Sequence, residues 1–219
     1  VTSTRPPGDG GADRVVLVVA ERLAGWVTRF EARHGPVTTS GTAAELTLTA
    51  ADGAVAVVEV PFPPLPSAAD LPSVVEHALV DRTVGAVLVR RGGYAVGWFE
   101  GSRLIGSKVG STYVQGTTKA GGWSQQRYAR RRANQTQQAY AEAADVAATL
   151  LRPHLGELTA VVGGGDRAGV LAVLADPRLA GLGPLLQPRV LPTVDPRLRV
   201  LQAFGDQLRE VRITLSADA

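Results

Sequence analysis

The chain has 219 residues, enough to bury a core in one domain or one and a half. It has no cysteine, which excludes disulfides, thiolate catalysis and Cys-based zinc sites, and no apolar run long enough to span a membrane. The net charge is only +3, but the bases are nearly all arginine, with Lys108 and Lys119 the only lysines, so the position of the arginines says more than their number.

Residues 1–13 read as a flexible tail, because VTSTRPPGDGGA is rich in Pro, Gly and small polar residues and cannot pack. The tail lacks the charged-then-apolar pattern of a secretion signal, and a cytoplasmic location is expected. A Val-rich run over 14–19 predicts a strand. Leu23, Trp26, Val27 and Phe30 recur at helical spacing, and the helix stops near His34-Gly35-Pro36. Leu46 and Leu48, then Val55, Val57 and Val58, flank Asp52-Gly53, a hairpin signal. The run PFPPLP over 61–66 reads as a linker. Residues 14–66 are therefore expected to form a small α/β unit with its linker, and 67–219 a second, larger domain.

In that second domain a helix is predicted over 71–80, with Pro72 in its first turn, where proline is tolerated. Strands follow over 84–89, 94–99 and 103–109, with Gly92-Gly93 and Gly101-Ser102 as tight turns. This is an antiparallel meander, and strand character could run on to Val114. A long helix over 124–152 carries a stripe of Ala129, Ala133, Thr136, Tyr140, Ala143, Ala147 and Leu151. Arg127, Arg131, Asn134, Gln138, Glu142 and Asp145 lie on its other side. A strand over 158–162, a helix over 166–174 closed by Asp176-Pro177, a strand over 189–191, a helix over 197–207 and a strand over 211–215 complete the chain. The fold class is α/β (α+β), a mixed sheet with helices packed on it.

Other chemistries have little support. Gly163-Gly164-Gly165 follows a strand but lacks a Walker lysine and the spacing of a dinucleotide fingerprint, so a strand-to-helix turn is expected there. His34, His77 and His154 are far apart and lack metal-ligand spacing. Ser124 has no evident base for a Ser-His-Asp site. Trp26 and Trp98 read as core residues.

One stretch stands apart: QGTTKAGGWSQQRYARRRAN, residues 115–134. The pair Gly121-Gly122 gives a thin loop that can enter a narrow space. Ser124, Gln125 and Gln126 follow Trp123; a glutamine amide both donates and accepts, and can orient a water. Lys119 precedes the pair, and Arg127, Arg130, Arg131 and Arg132 open the helix with forks that match phosphate. The simplest alternative for these arginines is a solvated helix face.

The run GGWSQQRYARRR resembles the Gly-Gly-Gln segment of eukaryotic and archaeal translation release factors, in which an Arg-aromatic-x-Arg-x-Arg helix start follows. Here Arg127, Tyr128, Arg130 and Arg132 stand at the matching offsets. It is most similar to the Vms-like release factors, in particular their actinobacterial peptidyl-tRNA hydrolases, whose tip reads Gly-Ser-Gln. The resemblance extends more loosely over about residues 70–215, including the Asp-Pro-Arg-Leu of 176–179. It implies an RNase H-like fold and hydrolysis of the peptide–tRNA ester on stalled large ribosomal subunits, without metal or cofactor. The implied partners are ribosomal RNA and the P-site peptidyl-tRNA, with no membrane and a monomeric chain. Trp123 stands where release factors have their glutamine, so Gln125 is the first candidate for the catalytic group and Gln126 the second. A factor that binds ribosome or tRNA without hydrolysis, and a plain interaction domain, are the competing readings.

Overall fold

The computed structural model describes residues 14–66, 69–91, 93–111 and 123–219, the side chains of 123–129 and 131–133 excepted. Its elements run β1 (Arg14–Val19), α1 (Leu23–His34), β2 (Val37–Gly41), β3 (Glu45–Ala50), β4 (Val55–Glu59), α2 (Leu71–Leu79), β5 (Thr83–Arg90), β6 (Gly93–Glu100) and β7 (Arg103–Ser111). Then come α3 (Trp123–Leu150), β8 (Ala160–Gly165), α4 (Arg167–Leu174), β9 (Leu186–Leu191), α5 (Leu198–Gln207) and β10 (Glu210–Leu215). The chain divides into two compact units, residues 1–80 with 209–219, and residues 81–208.

The first unit holds an antiparallel sheet in the order β1-β10-β4-β3-β2. Alternation sets its inner face: Leu46 and Leu48 of β3, Ala56 and Val58 of β4, and Val211 and Ile213 of β10 are buried. Leu23, Val27 and Phe30 of α1 and Val74 of α2 close over them in one core. Asp70 starts α2, its carboxylate accepting from the Ser73 N–H at 2.8 Å, which satisfies one of the open donors of the first turn. Trp26, expected in the core, is partly buried and stacks on Phe30.

The second unit holds the order β7-β6-β5-β8-β9. β5, β6 and β7 form the expected antiparallel meander, and β8 and β9 add in parallel beside β5. That is the arrangement of an RNase H-like mixed sheet. Val87, Val89, Tyr94, Val96 and Val161 share a core with Ala143, Ala147 and Leu151 of α3 and Val170 and Val173 of α4. Strand neighbours alternate in face; Leu88 and Gly164 accordingly meet Phe204 of α5 on the other side.

Four local expectations change. The first unit is not continuous in sequence: β10 pairs with β1 and β4, and α2 packs with α1, so the division falls after residue 80 and again after 208 rather than at 66. The PFPPLP stretch is not a bare linker, because Leu65 is buried and its N–H bonds the Ala43 carbonyl at 2.7 Å. β2 was not expected; VTTSG shows almost no apolar alternation and becomes a strand through its ladder with β3. Gly163 and Gly164 are strand rather than turn, and only Gly165 takes a left-handed φ, +85°. A Cβ on Gly163 would lie 2.9 Å from Val170, and one on Gly164 2.8 Å from Leu88, so bare backbone lets both layers close on β8.

Candidate functional site

β7 ends at Ser111 in the second unit, and the register of the sheet places that end. Arg90 pairs with Gly93, Gly93 with Ser111, and Val89 with Gly165. The chain therefore leaves β7 at the end of the sheet that also carries the β5–β6 turn and the β8–α4 junction.

α3 runs back along this sheet. Leu151, just past its end, touches Gly85 near the start of β5, and the Tyr140 ring lies against Gly169, which also meets Val89 near the end of β5. The helix has 28 residues, about 42 Å at 1.5 Å per residue. The strands it covers have 8, about 26 Å. So α3 meets the end of the sheet near Tyr140, and the turns before it continue about 25 Å farther. Burial thins along the helix: Ala143, Ala144, Ala147 and Leu151 are buried, Gln135, Thr136 and Ala139 are half-buried, and Arg130, Asn134, Gln137 and Gln138 are exposed.

The anchored half is fixed by charge as well as by packing. Arg178 bonds Asp145 of α3 at 2.7 Å and Asp176 at 2.7 Å, and Asp176 also accepts from the Arg178 N–H. The Arg178 hydrogen bonds hold the Asp176 carboxyl down at about 2. Leu179 of the same Asp-Pro-Arg-Leu segment is buried. This segment, noted in the sequence only for its resemblance, is a clamp on α3. Burial first, then the charge of Asp166, pushes the Tyr140 hydroxyl pKa up. Tyr94, beneath the helix, is raised by burial and then by Glu142 and Asp145.

Of the predicted site residues, Lys119, Gly121 and Gly122 lie outside the described residues. Ser124, Gln125 and Gln126 fall in the first turn of α3, which starts at Trp123. Arg127, Arg131 and Arg132 are on the same helical backbone, and the side chains of these six also lie outside what is described. Arg130 is exposed. α3 has no acidic residue in its first turn and no basic residue in its last. The helix dipole, which favours anions at the N-terminus and cations at the C-terminus, is thus uncompensated at both ends by the helix's own side chains.

The histidines are not brought together. His34 bonds Asp52 at 2.8 Å, His77 lies 3.2 Å from the Phe62 carbonyl, and His154 stacks on Trp98. Among the described residues no group of three His, Cys, Asp or Glu could hold a metal ion, and no helix is long and apolar enough to cross a membrane. Arg90 and Arg91 are not among the sequence-predicted site residues; a consecutive basic pair before a glycine pair reads only as a turn.

Residues 82–214, more than half of the chain, match the family described as Actinobacteria/chloroflexi VLRF1 release factor. The chain belongs to this family. The match takes in the whole mixed sheet, α3, α4 and α5, and nearly all of β10. Among solved structures, an archaeal translation termination factor, aRF1, is 17% identical with a TM-score of 0.45, over 74% of this chain and 51% of that one. The Vms1 mitochondrial localization core is 9% identical with a TM-score of 0.45, over 87% of this chain and 81% of that one. A further archaeal protein is 15% identical with a TM-score of 0.36, over 74% and 52%. The chain thus spans about half the length of the archaeal factor. No curated protein sequence matches it significantly. Membership makes this a release-factor-like protein, with the glycine pair and the arginine-rich half of α3 inside the matched segment.

Proposed function

We propose that this release-factor-like protein hydrolyses the ester between a nascent peptide and its tRNA, in the cytoplasm, on stalled large ribosomal subunits. The observation that carries the reading is α3. Its C-terminal half is packed and clamped, while its first turns extend past the sheet and carry Ser124, Gln125 and Gln126 directly after the glycine pair. A rigid strut of this kind can deliver a small group into a confined, phosphate-lined space. Four arginines in six residues repel one another and favour a polyanion, and ribosomal RNA supplies one.

The ester is already activated, so the work is to place a water and stabilise the developing oxyanion. The Gln125 carboxamide, with Gln126 second, would hold the water by donating and accepting hydrogen bonds; it is no base at neutral pH. The first N–H groups of a helix lack intrahelical partners, and those of α3 add donors for an oxyanion. Trp123, in the place where release factors carry glutamine, favours a second reading: a factor that binds ribosome or tRNA through the arginines and leaves the ester intact.

Release of labelled peptide from peptidyl-tRNA, free and on stalled large subunits, tests both. Wild type should release peptide. Gln125→Ala should lower the rate roughly a hundredfold or more. Alanine is the strongest helix former, so the substitution does not weaken α3, and binding should survive. Gln126→Ala should do less. The reverse order would move the glutamine by one position. Full rate in both variants would exclude either side chain, and wild type that binds without releasing would establish the second reading.

A further inference from the structure

We propose that Arg90 and Arg91, at the β5–β6 turn, form a second phosphate-gripping patch that holds the RNA docked along α3. The inference rests on the reading that α3 docks on RNA, and it adds a contact surface outside the glutamine loop and its helix.

Placement comes first. The turn sits at the end of the sheet where β7 releases the chain toward α3. α3 crosses this end near Tyr140, and Arg130 lies ten residues earlier, about 15 Å along the helix axis. A nucleic-acid backbone that follows the arginines of α3 toward its anchored half reaches the β5–β6 turn within a few phosphates.

Charge and exposure come next. Arg90 and Arg91 are both exposed, and among the described residues neither pairs with a carboxylate. Arg103, Arg178, Arg209 and Arg212 are all paired with carboxylates. Arg167 is also at this end, at the first position of α4, donating to the Pro188 carbonyl at 2.6 Å. Asp166, the N-cap of α4, is the acidic group beside it, its carboxylate accepting from the Ala168 N–H at 3.0 Å. The turn itself presents two exposed arginines with no carboxylate partner among the described residues, and an external anion supplies one.

Pre-organisation comes last. The stem of Arg90 lies across Gly165, its Cδ 2.8 Å and its Cγ 3.0 Å from where a Cβ on that glycine would stand. A packed stem with an exposed head loses less freedom when the guanidinium takes a phosphate, and its planar fork matches that group.

The test is binding of the full chain to isolated large ribosomal subunits and to tRNA across a range of salt. Arg90→Ala/Arg91→Ala should weaken binding at least about fivefold near 0.15 M salt and flatten the log–log salt slope by about 1.4 to 1.8, the value for two lost phosphate contacts. Arg90→Lys/Arg91→Lys should restore most of the slope. Arg29→Ala/Arg33→Ala removes the same charge from the exposed side of α1 and should match wild type. If the Arg90/Arg91 variant keeps the wild-type slope while Arg127→Glu/Arg130→Glu/Arg131→Glu loses it, the second patch is refuted and the α3 reading stands. If the α1 control falls as far as the turn variant, net charge explains the effect and the patch is refuted. If wild type binds neither target, both readings fall.

Discussion

The two sheets differ in how many faces they bury. In the first unit one face carries the core and the other does not, so β3 and β4 alternate between buried and open positions. In the second, β5 is buried without a break from Val84 to Val89, because α3 and α4 lie on one face and α5 on the other. A sheet covered on both faces needs close approach more than alternation, and β8 meets that need with glycines. The payoff is a stiff base for α3. Arg209 and Arg212 at the first sheet pair with Glu21 and Glu59, and Arg103 at the second pairs with Glu100, whereas Arg90 and Arg91 at the β5–β6 turn are exposed.

If the two cores are separate, the largest effects should stay where they are made. Phe204→Ala removes a fully buried ring and should cost about 3–5 kcal/mol; Leu48→Ala should cost about 2–5 kcal/mol. Amide exchange should rise in β5 and β8 for the first variant and in β3 and β4 for the second. Equal loss of protection in both sheets for either variant would show a single cooperative core and break the comparison.

Close approach also shapes α5. A Cβ on Gly205 would lie 2.2 Å from the Ser102 carbonyl oxygen and 3.0 Å from the Phe99 ring. Backbone cannot swing aside, so Gly205→Ala should destabilise by about 1–3 kcal/mol. At Gly156 nothing stands within 4 Å and φ is not left-handed, so Gly156→Ala should stay within about 0.5 kcal/mol. Urea midpoints of the two variants that agree would remove crowding as the reason for glycine in this unit.

The smallest effect concerns the clamp on α3. Asp176 titrates at about 2 in the folded chain, below the roughly 3.9 of a free aspartate. Its contribution is present above that free value and is lost as pH falls toward 2. Asp176→Asn should flatten the acid limb of the stability curve between about pH 4 and 2. An unchanged limb would mean that Arg178 does not hold α3 through this carboxylate.

Much of the element list was legible. β1 has the bounds read from its valines, α1 ends at the expected His34, and α3 starts and stops within two residues of the prediction. The Asp52-Gly53 hairpin and the meander also stand, because apolar period and turn chemistry are local properties. β2 was not legible, since threonines and serine on an edge strand carry no period. The partners of β10 were not legible, because its ladder with β1 joins Arg14 to Leu215 across nearly the whole chain. At the candidate site the glycine pair, the two glutamines and the arginines were readable as residue types, and the family match includes them. Arg90 and Arg91 were not, because a basic pair before a glycine turn says nothing about which end of a sheet it will occupy.

From its own order of residues, then, this chain determined its helices, most of its strands, its family and the chemical character of its loop. Each depends on neighbours a few positions away or on a contiguous motif. Only the tertiary structure decided that β10 closes the first sheet, that Gly163 and Gly164 are strand, that Arg178 clamps α3, and that half of that helix stands beyond the sheet. Those outcomes depend on hydrogen-bond ladders and buried contacts between residues far apart in sequence, where closing the chain costs entropy that only the completed core offsets.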